Sequence, residues 1–110
     1  MKYLCLIYND ESALASMTES EGKAFMGEYM TFTEDLIKSG KMLAGEELKP
    51  THTATTVRIR KGTLSTTDGP FAETKEQLAG FRIIHAVDLT EAIQINSRLP
   101  SARKASIQVR

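Results

Sequence analysis

The run Asp68-Gly69-Pro70-Phe71-Ala72-Glu73-Thr74-Lys75-Glu76-Gln77-Leu78-Ala79-Gly80-Phe81 sets carboxylates, an ammonium and an aromatic ring against a stiff Gly-Pro turn. A carboxylate on such a turn can serve as general acid, general base or ligand anchor, because each role needs a group whose position is fixed in advance. The same residues have a structural reading. Aspartate accepts backbone hydrogen bonds at turns, glycine adopts dihedrals closed to other residues, and proline fixes the exit direction. Phe71 either covers a pocket or pins the loop to the core. The alternating charges Glu73, Lys75 and Glu76 read as a solvated surface. Lys75 is the exception that would change the chemistry: turned towards Asp68, it would lower the aspartate pKa and supply an anion site.

Away from this run the chemistry is sparser. Tyr29 falls on an apolar helical stripe, where it either packs in the core or presents its hydroxyl to a pocket; a buried hydroxyl needs a polar partner in either case. Gly45-Glu46-Glu47 follows a short strand, a place where α+β domains often form clefts. His52 sits between threonines in a loop and His85 in a strand. With one cysteine and two distant histidines, a zinc site of the usual composition cannot be assembled within one chain, and no metal or cofactor is expected. P-loop, G-x-G-x-x-G, G-x-S-x-G and H-E-x-x-H patterns are all missing, so nucleotide-driven and serine-hydrolase chemistry have no support. Fourteen basic and fourteen acidic side chains cancel, so no global field draws nucleic acid or anionic membrane. Arg98, Arg103, Lys104 and Arg110 lack interleaved aromatics and read as a solvated face.

The elements that must position these residues follow from periodicity. Residues 2–8 are apolar on both alternating sets, as in a strand covered on both sides and central in its sheet; the run ends at Asn9-Asp10-Glu11 without the small-residue site of a signal peptide. Thr18-Glu19-Ser20-Glu21 matches a capping box, and Phe25, Tyr29, Phe32 and Leu36 follow at helical spacing until Ser39-Gly40. Residues 42–45 form a second strand, and a polar connection runs from Glu46 to Thr53. Thr55, Val57 and Ile59 alternate with polar residues, Lys61-Gly62 turns the chain, and Leu64 to Thr67 returns it as a hairpin. Phe81 to Val87 is a strand. Asp88 to Glu91 caps a second helix carrying Ala92, Ile93, Asn96 and Leu99, and residues 105–109 close as a strand.

This order predicts one α+β domain over 1–110: a ferredoxin-like βαββαβ unit with an inserted β-hairpin, its antiparallel sheet carrying two helices on one face. Two helices cover only one face, yet the first strand is apolar on both. The uncovered face therefore needs a second copy or, alternatively, the hairpin folded back over it. No apolar run approaches the ~18 residues of a membrane span, and the lone Cys5, within an apolar run, suits a buried place in a reducing cytoplasm.

On the DGPF run, the Gly45-Glu46 pair and the closing Ser106-Ile107-Gln108-Val109-Arg110, the chain resembles the DGPF group of the YCII-related proteins over nearly its whole length. That resemblance implies a dimeric α/β barrel with a cleft in each subunit, Asp68 at the pocket border, and Glu46 in contact with a ligand. A better-studied branch carries a histidine at about the place of Tyr29, paired with an aspartate. Here the helix has no histidine, and Tyr29 is the chemically weaker replacement. The expected function is a cytoplasmic homodimer binding a small organic metabolite, with Asp68 and Tyr29 as catalytic candidates and Glu46, Phe71 and Lys75 as ligand contacts. The alternative, also implied by the resemblance, is a non-catalytic accessory module linked to an extracytoplasmic-function sigma factor.

Overall fold

A computed structural model describes all residues 1–110. Strand β1 (Lys2–Asn9) leads into a short helix α1 (Glu11–Ala15) and the long helix α2 (Glu19–Lys38). Strand β2 (Met42–Glu47), a 3₁₀ turn (Thr51–Thr53) and the hairpin β3 (Thr55–Arg60) and β4 (Thr63–Asp68) follow. Strand β5 (Gln77–His85), helices α3 (Leu89–Ser97) and α4 (Pro100–Lys104), and β6 (Ser106–Val109) complete the chain.

The main sheet has the order β2-β5-β1-β6, with every neighbouring pair antiparallel. β1 and β2 are therefore parallel across β5, joined through α2, and β5 and β6 are parallel across β1, joined through α3. These two interleaved β-α-β units are the ferredoxin-like α+β arrangement that the order of elements predicts.

The capping box at the start of α2 is present in both directions: Glu21 N donates to Thr18 Oγ1 at 3.1 Å, and Thr18 N donates to Glu21 Oε1 at 3.2 Å. Helix α2 buries Phe32 and Leu36 against Cys5, Ile7 and Ile84 of the sheet, while Ala92, Ile95 and Leu99 close the core from the other helical segments. Cross-strand partners share a face. Tyr3, Ile84 and Met42 thus lie under the helices with Cys5, whereas Leu4, Ile83 and Ala44, and next to them Leu6, Phe81 and Glu46, line the opposite face. No element of the chain covers that second face, and its four large apolar side chains, Leu4, Leu6, Phe81 and Ile83, stay half-buried.

The hairpin pairs only with itself, as a separate two-stranded sheet. Its register aligns Thr55 with Asp68, Val57 with Thr66 and Ile59 with Leu64, so Asp68 shares a face with Val57, Ile59 and Leu64. That stripe is 62%, 65% and 64% exposed at the three apolar residues, so the hairpin does not fold back over the sheet. The radius of gyration, 16.1 Å, exceeds the roughly 13 Å of a compact chain of this length, as a projecting arm requires.

Several boundaries differ from the sequence reading. β5 begins at Gln77, four residues before Phe81, because β1 stays paired through Tyr8 and Asn9 across an irregularity after Ile7; it ends at His85, before Val87. β2 continues through Glu47 into what reads as a polar connection. Asp10 caps α1, its Oδ1 accepting from Ser12 and Ala13 N–H, and Pro100 at the first turn starts α4, so two short helices join the two long ones. Leu99 is buried as the N-cap of α4, not within α3, while Ile93 is 54% exposed and Ile95 takes the core position. No helix is long and apolar enough to cross a membrane.

Candidate functional site

Asp68 is the last residue of β4 and is exposed. The turn after it is held by other groups: Gly69 N donates to Ala54 O at 2.7 Å, and Thr56 Oγ1 donates to Gly69 O at 2.8 Å. Gly69 has φ +96°, a conformation costly for any other residue. The Asp68 carboxylate accepts no hydrogen bond from the chain and joins none of its ion pairs, so the turn-stabilising role open to this aspartate is not the one it plays. Phe71 is 80% exposed and pins nothing to the core. Lys75 is exposed and forms no ion pair with Asp68.

The far end of this loop is anchored. Thr74 Oγ1 donates to Glu76 O at 2.5 Å, Gln77 Nε2 to Thr74 O at 2.6 Å, and Glu11 N to Gln77 Oε1 at 2.9 Å. The Glu11 carboxylate in turn accepts from Thr51 N and Thr51 Oγ1 at 2.9 and 2.5 Å. One chain of hydrogen bonds thus ties together the loops after β1, after β2 and before β5, and sets where the arm leaves the sheet.

Glu46 and Tyr29 lie on opposite sides of the main sheet. Glu46 is exposed beside Phe81 on the uncovered face. Its neighbour Gly45 faces α2, where a Cβ would come within 2.8 Å of Met42 Cε, 3.0 Å of Phe81 O and 3.3 Å of Arg82 Cγ. Glycine at 45 is what lets the Arg82 stem and Met42 lie across β2.

Under the helices is a polar cluster. The Tyr29 hydroxyl meets Ser101 Oγ, and Ser101 Oγ donates to Asn9 Oδ1 at 2.6 Å. Ser101 has one proton and gives it to Asn9, so Tyr29 is the donor to Ser101. Ser101 is fully buried and Asn9 nearly so. Burial pushes the Tyr29 pKa up, against the opposing pull of the Ser101 hydrogen bond and the Arg82 charge. At neutral pH this phenol is therefore a proton donor, not a base. The Cys5 thiol is likewise pushed up by burial, against its hydrogen bond from Asn96 Nδ2 at 3.1 Å, which makes it a packing group and not a thiolate nucleophile.

Arg82 stands in the same layer, opposite Cys5 and Gly45 in register. Its guanidinium carbon lies 5.9 Å from the Tyr29 ring centroid and 5.7 Å from that of Phe32, and Arg98 lies 5.8 Å from the same Phe32 centroid. Arg82 Nε is enclosed and has no acceptor. Burial pushes the Arg82 pKa down from its ordinary value. Sequence reasoning missed Arg82, Ser101 and Asn9. A signal for Arg82 was present, since it is the one charge within the apolar strand segment Phe81-Arg82-Ile83-Ile84.

The expected site residues therefore fall into three places. Asp68, Phe71 and Lys75 share the arm and its loop, Glu46 lies on the uncovered face, and Tyr29 belongs to the covered layer. A family model described as the YCII-related domain matches residues 1–110. An uncharacterized protein of Rhizobium meliloti (strain 1021), R00369, is 36% identical over 106 residues, spanning 96% of this chain and 86% of that protein.

Proposed function

The chain belongs to the YCII-related family, and from that premise we propose that it is a cytoplasmic homodimer binding a small organic metabolite, with Asp68 as acid/base or anchor. Phe71 and Lys75 of the same loop serve as further contacts, and Glu46, on the uncovered face, joins them only if the second copy brings that face to the arm, whereas Tyr29, under the helices with its hydroxyl on Ser101, lies outside this site. The placing of Asp68 carries this proposal: its carboxylate is free, and it shares a hairpin face with Val57, Ile59 and Leu64 that nothing in its own chain covers.

A two-stranded hairpin is marginal in water by itself, and an exposed apolar stripe calls for a covering surface. The sheet face of Leu4, Leu6, Phe81 and Ile83 has the same need. A second copy satisfies both at once. Covering the arm would draw Asp68 out of water beside Phe71, into the kind of enclosed, fixed position that a proton-transferring or ligand-anchoring carboxylate needs.

Light scattering at micromolar concentration tests the assembly, and a monomer there would remove the proposal's basis. A thermal-shift screen of metabolites on the native protein and Asp68→Ala tests the site, because a ligand at 100 times its Kd stabilises a fold by about 2.7 kcal/mol. A hit lost in the variant places the ligand at Asp68. On a substrate so found, an unchanged kcat/KM for Asp68→Asn would end the catalytic role and leave only that of anchor.

A further inference from the structure

We propose that the edge between α2 and β2 holds an oxyanion-binding site whose charge is Arg82, suited to a small ligand carrying a carboxylate or phosphate group against an apolar body. This site lies on the helix-covered side of the sheet and does not depend on Asp68.

The first ground is an uncompensated charge. Arginine keeps its proton in proteins, so Arg82 remains a cation although much of its surface is withdrawn from water. A cation so placed ordinarily has a carboxylate beside it. The chain has fourteen acidic residues, yet its ion pairs are Lys23–Glu19, Lys41–Glu91 and Arg103–Glu28, and none includes Arg82. Arg98, the other guanidinium at Phe32, has no acid either, so two positive groups meet at one ring without an anion between them.

The second ground is a set of unused donors. Nε is enclosed without an acceptor, Nη1 reaches only the weak acceptor Met42 Sδ at 4.0 Å, and Nη2 donates to nothing in the chain. Nη2, without a partner and not enclosed as Nε is, opens towards water at the edge of the layer with both of its N–H groups free.

The third ground is that the group is seated. Gly45 leaves the space that the Arg82 stem crosses, since a Cβ there would lie 3.3 Å from Arg82 Cγ. The Tyr29 and Phe32 rings hold the guanidinium from the α2 side. A planar fork held in one orientation matches the two oxygens of a carboxylate or phosphate, and the rings with Met42 provide apolar walls for the remainder of a ligand.

The test titrates inorganic phosphate and, separately, malonate into ¹⁵N-labelled protein at constant ionic strength, following the Arg82 Nε–Hε cross-peak, with Arg82→Met in parallel. A saturating shift of this cross-peak, larger than at any other arginine, is expected, with affinity for the same anion at least about tenfold weaker in Arg82→Met. The anion that saturates at the lower concentration decides between phosphate and carboxylate. No saturable shift with either anion overturns the proposal, as does equal affinity in Arg82→Met. Should Arg82→Met fail to fold, the wild-type cross-peak alone decides. A purely structural arginine stacked on two rings would lower stability on substitution but show no anion-dependent shift.

Discussion

Ser101→Ala should destabilise the protein more than Tyr29→Phe, although the second change removes the larger polar side chain's only hydroxyl. The order follows from the direction of the hydrogen bonds. Ser101 receives the Tyr29 proton and gives its own to Asn9 Oδ1, so alanine at 101 strands a donor and an acceptor together. A buried polar group left without its partner costs about 1–3 kcal/mol. Tyr29 is half-buried and recovers part of this from water, while Asn9 borders a cavity of about 150 Å³ that admits water. The sum for Ser101→Ala is therefore about 2 kcal/mol. Phenylalanine at 29 leaves the Ser101–Asn9 bond in place and deprives Ser101 only of an incoming donor, a loss of about 1 kcal/mol. At about 4 °C of Tm per kcal/mol for a chain of this length, the two variants should fall by about 8 and 4 °C. Chemical denaturation at pH 7 with matched m-values, beside calorimetry, gives both numbers. A Tyr29→Phe loss equal to or greater than that of Ser101→Ala would refute the donor direction, and with it the view of Tyr29 as a hydroxyl held protonated in a relay. The pH dependence is a second check. A tyrosine whose folded pKa is raised binds its proton more tightly when folded, so its contribution is complete below the unfolded value of about 10 and declines as pH rises through the folded one. The alkaline decline in stability should be shallower in Tyr29→Phe than in the native protein, the raised Cys5 thiol accounting for a remainder of the same sign.

Gly45→Ala places a Cβ against the Phe81 carbonyl and Met42, and overpacking of this kind should cost about 1–3 kcal/mol, read from the urea midpoint; a neutral result would mean that β2 yields and that Arg82 is not held by it. Ile59→Asp, at a side chain 65% exposed in the single chain, should change the stability of a monomer by no more than about 0.5 kcal/mol yet dissociate a dimer, which sedimentation at several concentrations would detect. Thr18→Ala removes half of the capping box of α2 and should cost about 1 kcal/mol, or about 4 °C, with no change in oligomeric state.

The fold was legible wherever a local rule and the global arrangement agreed. Thr18 and Glu21 both announce and make the start of α2, Lys61-Gly62 both reads as a turn and is one, and the two-sided apolarity of β1 matches its place between β5 and β6. Legibility failed where pairing at a distance decided the outcome. Nothing local to Gln77 says that it starts a strand; Asn9 does, across β1. Nothing local to Ser101 makes it a hydrogen-bonding partner of a tyrosine 72 positions earlier; the docking of α4 on α2 and β1 does. The site shows the same division. The DGPF run correctly marks a stiff, distinctive turn, but the run alone could not reveal that the turn's hydrogen bonds come from Ala54 and Thr56 and leave the Asp68 carboxylate free. Arg82 was concealed differently, because a charge in an apolar strand is ambiguous until the register fixes its face, and a shift of one residue would have put it in water beside Leu6. The register instead puts it over Gly45 and under two aromatic rings, on the face where a charge is most costly. A sequence selected only to fill that layer would place an apolar side chain there, so a cation kept at 82 without an acid to answer it is better explained by something that binds than by the packing of the chain itself.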